Sequence, residues 1–142
     1  MPTPPPFLDT NVILRHLLND VPEQSAQARA LLLRIEAGEL RVRTAETVVF
    51  EIVFTLHRVY KKTPREIRDA LLPILELPSI SLSGKPVIRE ALRLYVEAAL
   101  PFADAYHAAL MADLGLTEIY TFDRHFDHCP GITRLEPAGA ER

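Results

Sequence analysis

Four acidic residues stand where a carboxylate is hard to place without a purpose. Asp9 ends the apolar pair Phe7-Leu8, and Glu51 interrupts Val48-Val49-Phe50-Glu51-Ile52-Val53. Asp104 opens Phe102-Ala103-Asp104-Ala105-Tyr106-His107, and Asp123 closes Ile119-Tyr120-Thr121-Phe122. An unpaired charge against apolar surface is costly. Carboxylates gathered in one crevice also repel each other, and a divalent ion removes both costs. Mg²⁺ and Mn²⁺ take oxygen ligands, keep several waters and are held by a few carboxylates plus substrate phosphate. Such a site activates a water and stabilises the leaving oxygen of a phosphodiester. The expectation is that Asp9, Glu51, Asp104 and Asp123 converge on one site of this kind. Each acid alone would also suit a helix cap or a solvated face, because acids favour helix starts. Glu51 fits that alternative least: it adjoins an apolar stripe, and no basic residue follows it until His57 and Arg58.

The elements that must position these residues are legible from spacing. Prolines 4 to 6 cannot donate to a sheet ladder, so the first strand is short, Phe7 to Asp9. Thr10-Asn11 turns the chain into a helix over 11–18, with Thr10 or Asn11 as its cap. Asp20-Val21-Pro22-Glu23 offers a cap acceptor, a proline in the first turn and a Glu for a second helix, stopped by Gly38. Leu40-Arg41-Val42-Arg43-Thr44 alternates as a strand. A third helix over 45–60 carries Glu51. Thr63 and Pro64 start a fourth, extending to about Glu76. Ile80-Ser81-Leu82 is a weak strand, followed by helices over 86–99 and 102–114, the latter ended by Gly115. Strands over 118–122 and 132–135 close the chain, and 137–142 is expected to fray.

Strands separated by helices argue an α/β fold with a parallel sheet covered on both faces. If the strand after Glu39 and the strand ending at Asp123 flank the first strand, a crevice opens where strand order reverses, with Asp9 and Asp123 on its lip. The 142 residues, 48% hydrophobic, suit one globular domain, expected over 1–136. A formal charge of −3 gives no global attraction to nucleic acid, so any such binding needs a local patch. Arg58, Lys61, Lys62, Arg65 and Arg124 are candidates, although such runs are also ordinary solvated faces. Cys129 is the only cysteine, which suits a reducing cytoplasm. No apolar run reaches bilayer length and the N-terminus has no signal-peptide pattern, so no membrane role is expected.

These residues carry a resemblance. Leu8-Asp9-Thr10-Asn11, Glu51 in an apolar helix, Phe102-Ala103-Asp104-Ala105 and Thr121-Phe122-Asp123-Arg124-His125-Phe126 resemble, in order and across nearly the whole chain, a PIN domain of the VapC toxin-ribonuclease type. The resemblance implies a three-layer fold with a five-stranded parallel sheet in order 3-2-1-4-5. It implies an endoribonuclease dependent on one or two Mg²⁺ or Mn²⁺ ions, acting as the toxin of a type II toxin–antitoxin pair. It further implies frequent homodimers and a co-expressed VapB-like antitoxin in the active-site groove. Asp9, Glu51, Asp104 and Asp123 match the family's acidic, metal-binding positions, and Thr10, Asn11 and Thr121 match positions that support them. His125 stands where many members have another acid. It is expected either to reach the metal crevice as a neutral ligand or to contact RNA phosphate as a cation.

Other chemistries fit less well. Asp123, His125, Asp127, His128 and Cys129 are zinc-ligand types without the paired Cys or His spacings of a structural zinc site. His107, three residues after Asp104, reads as a packing residue. An Asp9-nucleophile phosphatase would want a carboxylate two residues on, where Asn11 stands. A catalytically inactive RNA-binding module of the same fold is the remaining alternative, separated from a nuclease by whether RNA stays intact with Mn²⁺.

Overall fold

A computed structural model of the chain describes residues 3–139. The chain divides into two compact units, one up to Lys85 and one from Pro86.

The first unit holds helices α1 (Thr10–Leu18), α2 (Pro22–Glu36), α3 (Glu46–Arg58) and α4 (Pro64–Leu75), and strands β1 (Val42–Arg43) and β2 (Ile80–Ser81). β1 pairs in parallel with β2, Val42 opposite Ile80, and Phe7 makes a parallel bridge to Arg43 on its other side. The predicted first strand is thus reduced to a single bridge. Its hydrogen bonds are nonetheless in place, Leu8 N–H to the Arg43 carbonyl at 2.7 Å and Arg43 N–H to the Pro6 carbonyl at 2.9 Å. Proline nitrogens at 4 to 6 leave nothing to extend the ladder backwards. The buried Thr44 hydroxyl donates to the Leu8 carbonyl at 3.0 Å and pins the residue before Asp9.

Burial on α3 follows helical periodicity. Val48, Val49, Ile52, Val53 and Leu56 are buried together with Ile13, Ile35, Ile67, Leu71 and Leu75 from the other helices. Two expected caps differ. α1 is capped by Asp9 itself, not by Thr10 or Asn11: its carboxylate accepts from the Thr10 N–H at 2.8 Å. α2 starts from Val21 with no side-chain cap, Pro22 at its first position, and Ser25 Oγ accepting the Val21 N–H at 3.4 Å. Asp20 instead pairs with Arg15 at 3.6 Å and accepts from the Tyr60 hydroxyl at 3.3 Å.

α4 behaves as its sequence promises. Thr63 Oγ1 accepts from the Glu66 N–H and the Glu66 carboxylate accepts from the Thr63 N–H, both at 3.1 Å. This reciprocal box satisfies two donors that the first turn would otherwise leave open. Thr63→Ala is expected to cost about 1 kcal/mol of stability, read as a lowered midpoint in urea with an unchanged slope. The bond from the Thr63 N–H holds the Glu66 carboxyl below its usual range. Its contribution is therefore complete above the ordinary carboxylate pKa and disappears as pH falls through the depressed value. An unchanged midpoint in the alanine variant would show that packing alone holds α4.

The second unit contains α5 (Lys85–Glu97, all but its first residue), α6 (Phe102–Leu114), β3 (Glu118–Tyr120) and β4 (Thr133–Leu135). β3 and β4 pair in parallel, Ile119 opposite Arg134. Its core is Val87, Ile88, Ala91, Leu92 and Tyr95 of α5, Phe102, Ala105, Ala108 and Ala109 of α6, and Phe126. Tyr95 and Phe102 meet edge to face, 5.5 Å between centroids, an arrangement the ring quadrupoles favour. α6 ends where expected, at Gly115 with φ 71°, a conformation glycine adopts without the clash of a Cβ. Between β3 and β4 a 3₁₀ turn, Arg124–His128, carries His125.

Every pairing is parallel and helices intervene, so the fold is α/β as expected, with strands of only two or three residues. Of the predicted tail, Pro137–Gly139 form a 3₁₀ turn, and 140–142 lie outside the described residues. No described helix is long and apolar enough to cross a membrane.

Candidate active site

In the first unit, Asp9 sits at the entry to α1, where the Phe7 bridge ends. The buried Thr10 follows it, and its hydroxyl donates to the Glu51 carboxylate of α3 at 3.0 Å. This bond brings the Asp9-Thr10 turn and Glu51 together across 41 positions of sequence. The Thr10 hydroxyl thus holds the Glu51 carboxylate in place. Glu51 itself is exposed, at the edge of the α3 face that buries Val48, Val49, Ile52 and Val53. It adjoins the buried stripe, as expected, without entering it. The stripe skips position 51 because 48, 49, 52, 53 and 56 already complete one helical face. Asn11 lies exposed in the first turn of α1.

In the second unit, Asp104, Asp123 and His125 form a cluster whose ligand atoms all lie within 4.8 Å of one another. Asp104 projects from the first turn of α6. Asp123 ends the segment after β3, held by its own N–H, which donates to Thr121 Oγ1 at 3.0 Å. The Asp123 carboxylate accepts from the His125 N–H at 2.9 Å, which starts the 3₁₀ turn and folds the imidazole back. His125 Nδ1 lies 2.7 Å from Asp123 Oδ1 and 3.1 Å from Asp104 Oδ2. The His125 imidazole therefore faces both carboxylates.

The electrostatics follow from these contacts. Burial pushes the Asp104 carboxyl up, although its bond to His125 opposes this. The Asp123 carboxyl is held low, first by the His125 backbone N–H. The His125 imidazole is raised, first by its bond to Asp104. One group thus stays protonated longer and one ionises earlier, as expected when two carboxylates share a site with a base. The raised imidazole stabilises the folded state at pH below its ordinary pKa, and this is lost as pH rises through the raised value. Two carboxylate oxygens and an imidazole nitrogen at this separation suit a divalent ion such as Mn²⁺ or Mg²⁺, because the acids offset its charge.

The other expected donors lie elsewhere. His107 is exposed, its ring 6.3 Å from that of Tyr106, and it belongs to no metal-ligand group among the described residues. Asp127 is taken by Arg134 at 2.8 Å, and neither it, His128 nor Cys129 belongs to a metal-ligand group among the described residues. The zinc set does not assemble there.

Two positioning residues escaped the sequence reading. Thr44 secures the residue before Asp9, as described. Arg134 of β4, its side chain only 10% exposed, spans Asp127, Glu136 at 3.0 Å and the Thr121 carbonyl at 3.4 Å, fixing the segment that carries Asp123 and His125. A basic residue inside the apolar alternation Ile132-Thr133-Arg134-Leu135 was the available signal. Among the candidate RNA contacts, Arg58, Lys61, Lys62, Arg65 and Arg124 are all exposed. Arg124 has only a 3.9 Å pair with Asp127.

Residues 7–132 match the family model of the PIN domain. This chain belongs to the PIN-domain family. The PIN domain is 28% identical over 120 residues to a VapC ribonuclease of Aquifex aeolicus (strain VF5), covering 84% of this chain and 88% of that relative. It is 32% identical over 134 residues to Ribonuclease VapC13 of Mycobacterium tuberculosis (strain ATCC 25618 / H37Rv), covering 91% of this chain and 98% of that relative. The same figures hold for VapC ribonuclease Mb1869c of Mycobacterium bovis (strain ATCC BAA-935 / AF2122/97). Similarity to these relatives runs through the whole PIN domain and marks it as the VapC type.

Proposed function

We propose that this PIN domain is a divalent-metal-dependent endoribonuclease and the toxin of a type II toxin–antitoxin pair. The observation that carries the reading is the Asp104–Asp123–His125 cluster, in a chain whose curated relatives are named VapC ribonucleases. Asp104, Asp123 and His125 would hold the ion, and the resemblance extends the acidic role to Asp9 and Glu51. When bound, such an ion activates water and neutralises charge on the phosphodiester. Thr10 orients Glu51, and Thr121 and Arg134 hold the segment bearing Asp123. Arg58, Lys61, Lys62 and Arg124 would draw in the RNA backbone by local charge, which the net −3 of the chain cannot do. Asn11 stays a supporting residue in this reading. The same reading takes residues 1–136 as one nuclease domain on a five-stranded parallel sheet, cytoplasmic, homodimeric and paired with a VapB-like antitoxin.

The test is RNA cleavage with Mn²⁺ and Mg²⁺ against a chelated control, using wild type, His125→Asp and His125→Ala. Imidazole favours softer divalent ions, so wild type should work better with Mn²⁺ than with Mg²⁺. His125→Asp should tighten Mg²⁺ dependence, and His125→Ala should weaken both. Because the ion must displace the proton that Asp104 and Asp123 hold on His125, Mn²⁺ affinity should rise with pH through the raised imidazole value. Intact RNA under every metal condition would leave a binding module in place of a nuclease. Identical metal dependence in the three proteins would remove His125 from the metal.

A further inference from the structure

The groove between α1 and α2, about 490 Å³ in volume, begins at Asn11, two residues after Asp9. Its floor is apolar, with Val12 and Leu31, and its walls carry the amides of Asn11, Gln24 and Gln27. Arg15 is the only charged residue in its lining. Asn11 and Arg15 stand one turn apart on α1, and Gln24 and Gln27 one turn apart on α2, so the four heads face one another across the groove. Arg15 Nε donates to Gln24 Oε1 at 3.0 Å, and its guanidinium pairs only loosely with Asp20, at 3.6 Å. The Asn11 and Gln27 amides have no hydrogen-bond partner among the described residues. The groove thus joins an apolar floor to a rim of amide donors and acceptors, with a single positive charge in an acidic chain.

We infer that this groove is a nucleotide-binding subsite for single-stranded RNA, seating a base next to the Asp9 end of α1. A nucleobase has apolar faces and an edge of donors and acceptors, which matches the floor and rim described. Asn and Gln amides read base edges in pairs, and Arg suits a guanine edge or a phosphate. Sequence-selective RNA recognition works on such unstacked, single-stranded bases. A volume of this size lies within the range of small-ligand sites. A docked protein segment is the competing occupant. The exposed Asn11 and Gln27 amides favour RNA, because an apolar helix laid over them would leave both buried without partners. This assignment rests on the ribonuclease reading for its substrate class and adds where on the chain a base is read.

The test measures binding rather than cleavage. The full-length protein, held in chelator so that RNA stays intact, is titrated with short single-stranded oligo(A), oligo(G), oligo(U) and oligo(C), followed by backbone amide NMR and by anisotropy. Resonances of α1 and α2 should shift, and the four oligonucleotides should differ in affinity. Gln27→Glu and Arg15→Gln should each weaken the preferred oligonucleotide by about tenfold and narrow the differences between bases. Gln27→Ala, which favours the helix, should weaken binding likewise while melting no lower than wild type. Unshifted α1 and α2 resonances, or wild-type affinities in all three variants, would overturn the subsite and leave the groove to a protein partner. Wild type that binds as expected yet cuts no RNA with metal restored would overturn the nuclease reading and leave the subsite standing.

Discussion

Asp104→Asn should lower metal-dependent RNA cleavage by at least about a hundredfold, the lower end of what a positioned catalytic group contributes, while the metal-free protein melts no lower than wild type. Asn has the size and shape of Asp, so helix α6 and the contacts of Ala105 and Phe102 are preserved. What disappears is one of the two carboxylates that would offset a dication. In the protein without metal, that carboxylate is an unfavourable charge: burial and the nearby Asp123 both raise its pKa, against the opposing bond from His125. A neutral amide removes this repulsion at the cost of a weaker partner for the imidazole. Activity and stability should therefore separate, with activity collapsing and apo stability equal or higher. Single-turnover cleavage in Mn²⁺ beside a chelated thermal melt measures both. Cleavage within a few-fold of wild type would show that the cluster is not where the reaction occurs. A large drop in apo melting temperature would show that Asp104 is chiefly structural.

Sequence legibility followed whether a residue's role depends on its own neighbours or on distant ones. α6 was readable to its last residue because local chemistry decides it: Asp104 in the first turn, an apolar row, then Gly115 in a left-handed cap. Thr63-Pro64-Arg65-Glu66 likewise specifies its own helix start. The caps of α1 and α2 were misread because several side chains nearby were chemically suitable. Tertiary pairing chose among them: Asp20 was drawn to Arg15 and Tyr60, and Asp9 took the α1 end. Glu51 was legible as the neighbour of a buried stripe, because the apolar positions of α3 fall on one helical face and leave it exposed. Its bond to Thr10, 41 residues away, has no local signature. Arg134 shows the same limit, since the groups it clamps sit on the far side of a turn. His125 was ambiguous in sequence for a related reason. Its ring reaches the acids only because the Asp123 carboxylate accepts its own N–H and bends the chain into a 3₁₀ turn.

Asp9 tests the other unit, and here the choice of substitution decides what is learned. Asp9 has two separable properties, the acceptor that caps α1 through the Thr10 N–H at 2.8 Å and a negative charge next to Thr10, whose hydroxyl holds Glu51. Asn retains an acceptor and ranks with Asp as a helix cap. Asp9→Asn should therefore melt within about 0.5 kcal/mol of wild type, since Asp and Asn caps are near equivalent, while losing cleavage by about a hundredfold or more if the carboxylate takes part in the reaction. Asp9→Ala removes both properties. It should lose activity equally and also cost about 1 kcal/mol of stability, the usual value of an N-cap. Because Thr10 follows the cap directly, fraying the α1 start should also loosen the hydroxyl that holds Glu51. The alanine variant should then show faster amide exchange in the first turn of α1, which the asparagine variant should not. If Asp9→Asn cleaves RNA like wild type, Asp9 is a cap and nothing more. If both variants lose activity while only Asp9→Ala loses stability, the carboxylate acts in the chemistry and the oxygen acts in the fold.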